Sequence, residues 1–253
     1  GECEMRGLIR GDFGTSFFDR QPVLTLMLQR IPAAIELTIW ALIIGVTLGV
    51  LIGVLSAIRQ GTWFDNVARF FSVVFDAIPA FWLGLILIML FSVELGWLPV
   101  GGRTPFDGSE VTFWVRAKHL LMPSFVLGVG WVALMSRFMR AETLEAIRRD
   151  YVRTAHAKGL PPGRVYYYHA ARNALIPIVT FLGPAIVGLV GGAVVIERIF
   201  SWPGLGRLIV DAVNQRDYPI VMGSVILSAV IVIIGNLLTD FLLVLVDPRI
   251  RLS

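Results

Sequence analysis

Apolar residues run along this chain in long, uncharged stretches instead of alternating with polar residues at short intervals. Five stretches contain no Asp, Glu, Lys or Arg: Leu37–Ile58, Ala77–Val93, Leu120–Ser136, Ala174–Ile196 and Pro219–Thr239. About 20 apolar residues of helix are needed to cross the hydrocarbon core of a bilayer. The pattern therefore predicts five transmembrane helices, of which the second and third need tilt or snorkelling end residues to complete the crossing.

Composition supports the same fold class. Hydrophobic residues make up 56% of the 253 residues, whereas soluble domains contain about 45–50%. The sequence thus predicts an all-α, polytopic membrane protein. In such a protein the net charge of +4 indicates basic cytoplasmic loops rather than nucleic-acid binding. The single cysteine, Cys3, can form no disulfide within the chain and matches no metal-ligand spacing.

Basic residues concentrate in the loop 137–173, which holds eight of the 22 Lys and Arg residues and three acidic residues. Because Lys and Arg are enriched in cytoplasmic loops, this loop is predicted to lie inside. Alternation across the predicted spans then places 59–76 and 240–253 inside, and 1–31, 94–119 and 197–218 outside.

An N-terminal segment on the outside must be carried across the membrane, and residues 1–31 contain no signal peptide. We therefore expect one more apolar helix upstream and six helices in total, of which five are present in this sequence. In this organisation 1–31 is an extracytoplasmic segment, and 32–253 form the transmembrane domain.

Two local patterns lie on either side of the boundary at residue 32. Pro22 and Pro32 are predicted to bracket a short helix, Val23–Arg30. Further along, in the first span, glycines recur every fourth residue at Gly45, Gly49 and Gly53. A stripe of small residues lets two helix backbones approach closely in a membrane, so it predicts a helix–helix seam.

The loop 137–173 is predicted to contain two helices joined by a corner. Leu144, Ile147, Tyr151 and Ala155 are spaced to share one apolar face of the first helix. Gly159 is followed by Leu160 and two prolines, a pattern typical of a helix that ends on a left-handed residue. A stiff corner of this kind indicates a docking surface for a cytosolic partner.

The sequence lacks the motifs that would indicate chemistry within the chain. Neither Lys118 nor Lys158 belongs to a phosphate-binding loop, and we find no zinc-binding spacing and no nucleophile elbow. A membrane enzyme is therefore disfavoured. The five predicted spans also contain no charged residue, although ion-coupled carriers normally keep one there. We expect energy to come from a partner, with a stand-alone secondary carrier as the alternative of a different class.

Several motifs together resemble one family of bacterial transporters. They are DYVRTAHAKGL (Asp150–Leu160), RNALIP (Arg172–Pro177), GDFGTS (Gly11–Ser16), GWLP (Gly96–Pro99), FSWPGLG (Phe200–Gly206), RDYP (Arg216–Pro219) and DPRIR (Asp247–Arg251). Taken in their order along the chain, they are similar to permease subunits of bacterial ABC importers of the dipeptide, oligopeptide and nickel group, over essentially the whole chain. Arg153 and Thr154 depart from the Glu and Ala of the broader family, as is usual in this group.

The resemblance implies the transmembrane fold of type I ABC importers and a transporter subunit that is not an enzyme. It implies a permease for di- or oligopeptides, with nickel chelates as the alternative substrate. It implies no catalytic, metal or cofactor site in this chain, because partner subunits bind ATP and Mg. The residues that it implies for coupling to the ATPase are Asp150, Tyr151, Arg153, Thr154, Ala155, Lys158, Gly159 and Leu160.

The resemblance also implies a set of partners in the bacterial inner membrane and on both of its sides. These are two cytoplasmic ATPase subunits, a second homologous permease in a heterodimer, and an extracytoplasmic substrate-binding protein. In the outer segments, Trp97, Trp114 and Trp202 are candidates for contact with that binding protein or for anchoring at the membrane interface.

Overall fold

The computed structural model describes residues 12–106, 108, 110–175, 178, 181 and 193–246, and every regular element within these ranges is helical. The chain divides into two compact units. Unit 1 comprises Gly1–Ile39, Gly84–Pro123 and Ile186–Ile234, and unit 2 comprises Trp40–Leu83, Ser124–Ala185 and Gly235–Ser253. The long helices contribute residues to both units.

Helix α1 extends over 36 residues, Val23–Ile58, and includes Pro32. The prediction of a short helix, Val23–Arg30, that ends before this proline is therefore wrong. A proline inside a helix removes one backbone hydrogen bond, but residues on both sides of it, Val23, Met27 and Ala34, belong to one buried cluster. Packing thus keeps the backbone helical across the proline, as neighbouring helices often do in membrane proteins.

Helix α2, Trp63–Ala77, occupies a segment predicted to be a cytoplasmic loop. After a break at Pro79, helix α3 runs over Ala80–Leu87 and continues as a π-helix, Ile88–Glu94. The two helices meet at an angle of 99°. The bend follows from the extended backbone of Ile78, with φ −77° and ψ 123°, a conformation favoured in the residue before a proline.

Helix α4, Phe113–Ile147, runs through the third predicted span and on into the predicted cytoplasmic loop without a break. Helix α5, Asp150–Ala157, follows after a two-residue turn. The helical segment α6 then comprises Pro162–Arg164, a π-helical stretch Val165–Ala170 and Ala171–Ala174. The last helices are α7 (193–199), α8 (Leu205–Gln215) and α9 (Tyr218–Val246).

The glycine stripe of α1 faces α4 within unit 2. A Cβ atom added to each glycine would meet α4 at a forbidden distance: 2.3 Å from Trp131 Cβ for Gly45, 2.6 Å from Met135 Cβ for Gly49 and 2.6 Å from the Ser136 carbonyl oxygen for Gly53. Only glycine leaves room for this approach of the two backbones. The helix–helix seam predicted from the sequence is confirmed.

Three helices in the described part of the chain are long and apolar enough to cross a membrane: Val23–Ile58, Phe113–Ile147 and Tyr218–Phe241. The bent pair α2–α3 is a fourth if it is counted as one span. These helices include the first, second, third and fifth predicted stretches. The fourth stretch, Ala174–Ile196, lies mostly outside the described residues, as do its two prolines, Pro177 and Pro184.

Candidate functional site

Helix α5 begins where the backbone turns out of α4. Arg149 has an extended backbone with φ −72° and ψ 150°, and Asp150 is the first helical residue. A carboxylate in the first turn interacts favourably with the positive end of the helix dipole. The turn at 148–149 therefore allows α5 to take a direction independent of α4.

The C-terminal end of α5 is a Schellman motif built on Gly159. The Gly159 amide donates to the His156 carbonyl oxygen at 2.9 Å, and the Leu160 amide donates to the Ala155 carbonyl oxygen at 3.3 Å. Gly159 has φ +76°, a left-handed conformation that glycine adopts without steric cost. The helix end predicted at this glycine is confirmed, and its geometry is fixed by the two hydrogen bonds.

Two side chains of α5 are buried and pack the helix against the rest of unit 2. Val152 and Ala155 are 2% and 8% exposed and share a cluster with Met139 and Ala146 of α4. Leu160, directly after the glycine, packs against the same cluster. Of the eight residues predicted to couple to an ATPase, Ala155 and Leu160 therefore face the protein itself.

The other six predicted coupling residues are exposed on the opposite face and at the end of α5: Asp150, Tyr151, Arg153, Thr154, Lys158 and Gly159. The prediction that Tyr151 shares the apolar face with Ala155 is wrong, because Tyr151 is 39% exposed and Val152 is buried instead. The turn between α4 and α5 resets the helical phase, so spacing counted from Leu144 does not carry across it.

The exposed face of α5 and its flanks is positively charged. Arg153 lies 3.6 Å from Asp150, and Arg149 pairs with Glu145, but such exposed pairs contribute little to stability. Arg148, Lys158 and Arg164 are exposed and have no ion-pair partner among the described residues. The surface is therefore suited to an acidic partner surface.

The corner after α5 is stiff. Pro161 has φ −62° and ψ 140°, and Pro162 is the first residue of α6, where a proline costs little. The ring of His156 contacts that of Tyr166 edge-on, with centroids 5.6 Å apart. Contacts on both sides of the corner thus join α5 to α6.

Sequence reasoning missed a polar network in unit 2 centred on Asp65. Its carboxylate, 1% exposed, accepts hydrogen bonds from Arg140 Nε at 2.7 Å and Arg140 Nη2 at 2.9 Å. Ser56 also donates to it, as does the Gly61 amide at 3.0 Å. The partner arginine is 75 residues away in the sequence, so no local sequence pattern predicts the pair.

In unit 1, a buried glutamate caps helix α8. Glu197 Oε2 accepts the Arg207 amide at 2.8 Å, and a Cβ on Gly204 would lie only 2.0 Å from Glu197 Oε1. Burial raises the pKa of Glu197, while the Arg207 and Gly206 amides partly oppose that rise. The motif Phe200–Gly206 thus needs glycine where this carboxylate lies.

A second acid ties the N-terminal segment of unit 1 to the start of α9. Asp217 accepts hydrogen bonds from the Ser16 hydroxyl and from the Phe18 amide, the latter at 3.3 Å. Burial alone would raise the pKa of Asp217, but the hydrogen bonds from Ser16, Phe17 and Phe18 outweigh it and lower that pKa. The described part of the first motif, 12–16, therefore meets the motif 216–219 through Ser16 and Asp217.

The three outer tryptophans do not play one role. Trp202 is completely buried, and its indole Nε1–H donates to the Ala33 carbonyl oxygen at 2.8 Å. Its predicted role as a partner contact or a membrane anchor is therefore wrong. Trp97 and Trp114 are 63% and 74% exposed and stay candidates for either role.

Comparison with known proteins places this arrangement in context. Residues 49–252 match the family model described as "Binding-protein-dependent transport system inner membrane component". The chain is 44% identical to the oligopeptide transport system permease protein AppB of Bacillus subtilis (strain 168), covering 96% of this chain and 77% of that protein. It is 42% identical to the di/tripeptide permease DppB of Pseudomonas aeruginosa (strain UCBPP-PA14), with coverages of 96% and 78%.

Solved structures share the fold. A chain of the inward-facing methionine ABC transporter MetNI superposes with a TM-score of 0.69 at 17% identity, covering 88% of this chain and 97% of that one. An amino acid ABC transporter solved with histidines gives a TM-score of 0.60 at 20% identity, with coverages of 89% and 94%. At this level of identity the similarity concerns the fold alone.

Proposed function

The chain belongs to the family of binding-protein-dependent transport system inner membrane components, as a permease subunit of an ATP-driven importer, and from this premise we propose that it imports peptides and couples to its ATPase partners through the exposed face of α5. It is a transporter subunit and not an enzyme. Its type I importer fold agrees with that of the solved ABC permeases.

One observation carries the coupling proposal. Helix α5 buries two side chains, Val152 and Ala155, against the rest of unit 2 and ends in a hydrogen-bonded glycine corner. Its other face is basic and carries Arg153 and Lys158. A helix that served only to mark the cytoplasmic side would need the charge but not the corner. A stiff corner lets the helix move as one body when an ATPase subunit pushes or pulls on it.

The grouping of segments supports the proposed sidedness. The described parts of the segments predicted to lie outside, 12–31, 94–119 and 197–218, belong to unit 1. The segments predicted to lie inside, 59–76, 137–173 and the described part of the C-terminal tail, belong to unit 2. We therefore assign α5 to the cytoplasmic side, where ATPase subunits have access to it.

Peptides are the substrate class that the relatives favour. The similar proteins of Bacillus subtilis and Pseudomonas aeruginosa are named for oligopeptide and di/tripeptide transport, and that of Escherichia coli (strain K12), at 40% identity, for dipeptide transport. Nickel chelates and a stand-alone carrier are not favoured by these relatives.

We assign further partners by the same reasoning. Two ATPase subunits supply the ATP and Mg sites, a second homologous permease completes the path, and a substrate-binding protein docks on the outer segments of unit 1. The exposed rings of Trp97 and Trp114 support such an outer contact, since aromatic side chains are enriched in interfaces.

Substitution of Gly159 tests the coupling proposal. A Cβ on Gly159 would meet no atom within 4 Å, so the chain has room for a side chain here. The cost of a substitution therefore comes from the left-handed backbone conformation alone. Valine resists this conformation by at least about 1–2 kcal/mol, whereas asparagine tolerates it. We expect Gly159→Val to reduce ATP-dependent peptide uptake at least tenfold with normal membrane insertion, and Gly159→Asn to retain most uptake. Wild-type uptake and ATPase coupling in Gly159→Val would contradict the proposal.

A further inference from the structure

A buried ion pair fastens α2 to α4 in unit 2. The Arg140 guanidinium donates two hydrogen bonds to the Asp65 carboxylate. Nε donates to Oδ1 at 2.7 Å, and Nη2 donates to Oδ2 at 2.9 Å. The arginine side chain is 20% exposed and the aspartate side chain 1%. A bidentate pair fixes the angle between two elements as well as their distance.

The same carboxylate gathers the hairpin formed by α1 and α2. Ser56, in the last turn of α1, donates its hydroxyl to Asp65, and the Gly61 amide in the turn between the helices donates at 3.0 Å. Asp65 itself lies in the first turn of α2. One side chain therefore connects the end of α1, the turn, α2 and α4.

Arg140 also lies close to the part of α4 that supports α5. Its neighbour Met139 and, two turns further, Ala146 share the buried cluster with Val152 and Ala155 of α5. A displacement of α5 therefore acts first on the end of α4, where Arg140 binds Asp65 of the α1–α2 hairpin.

We propose that Asp65 and Arg140 are positioning residues for transport, and that their ion pair passes the movement of α5 and α4 to the α1–α2 hairpin. This inference rests on the proposed docking of an ATPase on α5. Stability alone gives a weak reason for such a pair, because well-packed apolar residues often replace a buried ion pair without loss. Transmission of movement needs a fixed connection between helices, and the bidentate contact provides one.

The chain contains a matched control on the same two helices. Asp76 of α2 and Arg137 of α4 also form an ion pair, with Nη1 and Oδ2 2.9 Å apart. Their side chains are 51% and 38% exposed, so solvent competes for both charges. Loss of this second pair removes a contact between α2 and α4 without leaving a buried charge.

The test uses the complete transporter, purified with its ATPase subunits, second permease and binding protein and reconstituted in liposomes. The readout is the number of ATP molecules hydrolysed per molecule of a tritiated dipeptide that the wild-type complex imports. For Asp65→Asn we expect this ratio to rise at least tenfold, because the ATPase cycle continues while α2 no longer follows α4. For Asp76→Asn we expect less than a twofold change.

A rescue distinguishes fastening from a general structural role. The hydroxyls of Ser72 on α2 and Ser136 on α4 are 2.8 Å apart, so Ser72→Cys and Ser136→Cys place two thiols for a disulfide across the same contact. In Asp65→Asn carrying this pair, oxidation should bring the ratio back to within about threefold of wild type, and reduction should abolish the rescue. An unchanged ratio in Asp65→Asn, or a disulfide that fails to restore coupling, would overturn the inference.

Two further measurements keep the result decisive. If Asp65→Asn does not accumulate, Arg140→Lys keeps the charge but loses the fork, and an unchanged ratio in that variant overturns the inference equally. Retention of the ATPase subunits during purification reports docking separately. We expect Asp65→Asn to retain them. Their loss would make Asp65 a determinant of docking and would contradict the proposed link. Failure of the docking proposal itself would appear as normal ATPase binding and coupling in variants of α5.

Discussion

Helices α5 and α8 are both short segments outside the predicted spans, of eight and eleven residues, and they are attached to the protein in opposite ways. In unit 1, α8 buries Leu205, Gly206, Leu208 and Ala212 and has its N-terminus capped by the buried Glu197. In unit 2, α5 buries only Val152 and Ala155. Helix α8 is therefore part of the core of unit 1, whereas α5 is a surface helix of unit 2.

This contrast predicts different effects of substitutions around the two helices. Around α8, a change should destabilise the protein, because side chains there fill space and satisfy buried polar groups. On the exposed face of α5, a change should leave the fold intact and alter only the response to the ATPase.

The largest effect is expected at Trp202, whose fully buried indole fills the core beside α8 and donates to the Ala33 carbonyl oxygen. Trp202→Ala should lower the free energy of unfolding by about 3–5 kcal/mol, visible as a large fall in the thermal unfolding midpoint of the purified complex. Trp97→Ala is the matched control, because Trp97 is 63% exposed. Equal losses in both variants would contradict the assignment of Trp202 to the core.

A smaller and pH-dependent effect is expected at Glu197. Burial raises the pKa of this carboxyl in the folded state, above its unfolded value of about 4.3. The folded protein therefore binds the proton more tightly, and its stability falls as pH rises through the raised pKa. Glu197→Gln does not titrate, so its unfolding midpoint should gain on that of wild type over the pH range that begins at the unfolded pKa of about 4.3 and extends upward. A constant difference over this range would contradict the burial of an ionisable group here.

The smallest effect on stability is expected on the exposed face of α5. Arg153 is 79% exposed, and surface substitutions usually change stability by less than about 0.5 kcal/mol. Arg153→Ala should therefore unfold at the wild-type temperature while its ATPase subunits dissociate more readily during purification. A fall in the unfolding midpoint comparable to that of Trp202→Ala would mean that α5 is a core helix like α8.

Features with a local cause were predictable from the sequence. The Gly45, Gly49 and Gly53 stripe predicted a helix seam and Gly159 predicted a helix end, and the structure confirms both. Close backbone approach and left-handed geometry depend on the glycine itself, so the pattern is visible without knowledge of its neighbours.

Features set by distant residues were not predictable. Pro32 does not end α1 because residues on either side of it pack in one cluster. The charged segment 59–76 is predicted to be a cytoplasmic loop, yet most of it forms α2, and Asp65 is buried through its pairing with Arg140. Trp202 is predicted to contact a partner or the membrane interface because it lies in an outer segment, yet its side chain is completely buried. In each case a tertiary contact outweighs the local signal.

The central claim is that the outward face of α5 touches an ATPase subunit, and a site-specific photo-cross-link measures this contact most directly. A photoreactive amino acid would replace Arg153 on α5 in one complex and Val213, an exposed residue of α8, in another. The account predicts a cross-link to the ATPase subunit from position 153 and none from position 213. Cross-links from position 153 to lipid or to the permease alone, with the ATPase present, would contradict it.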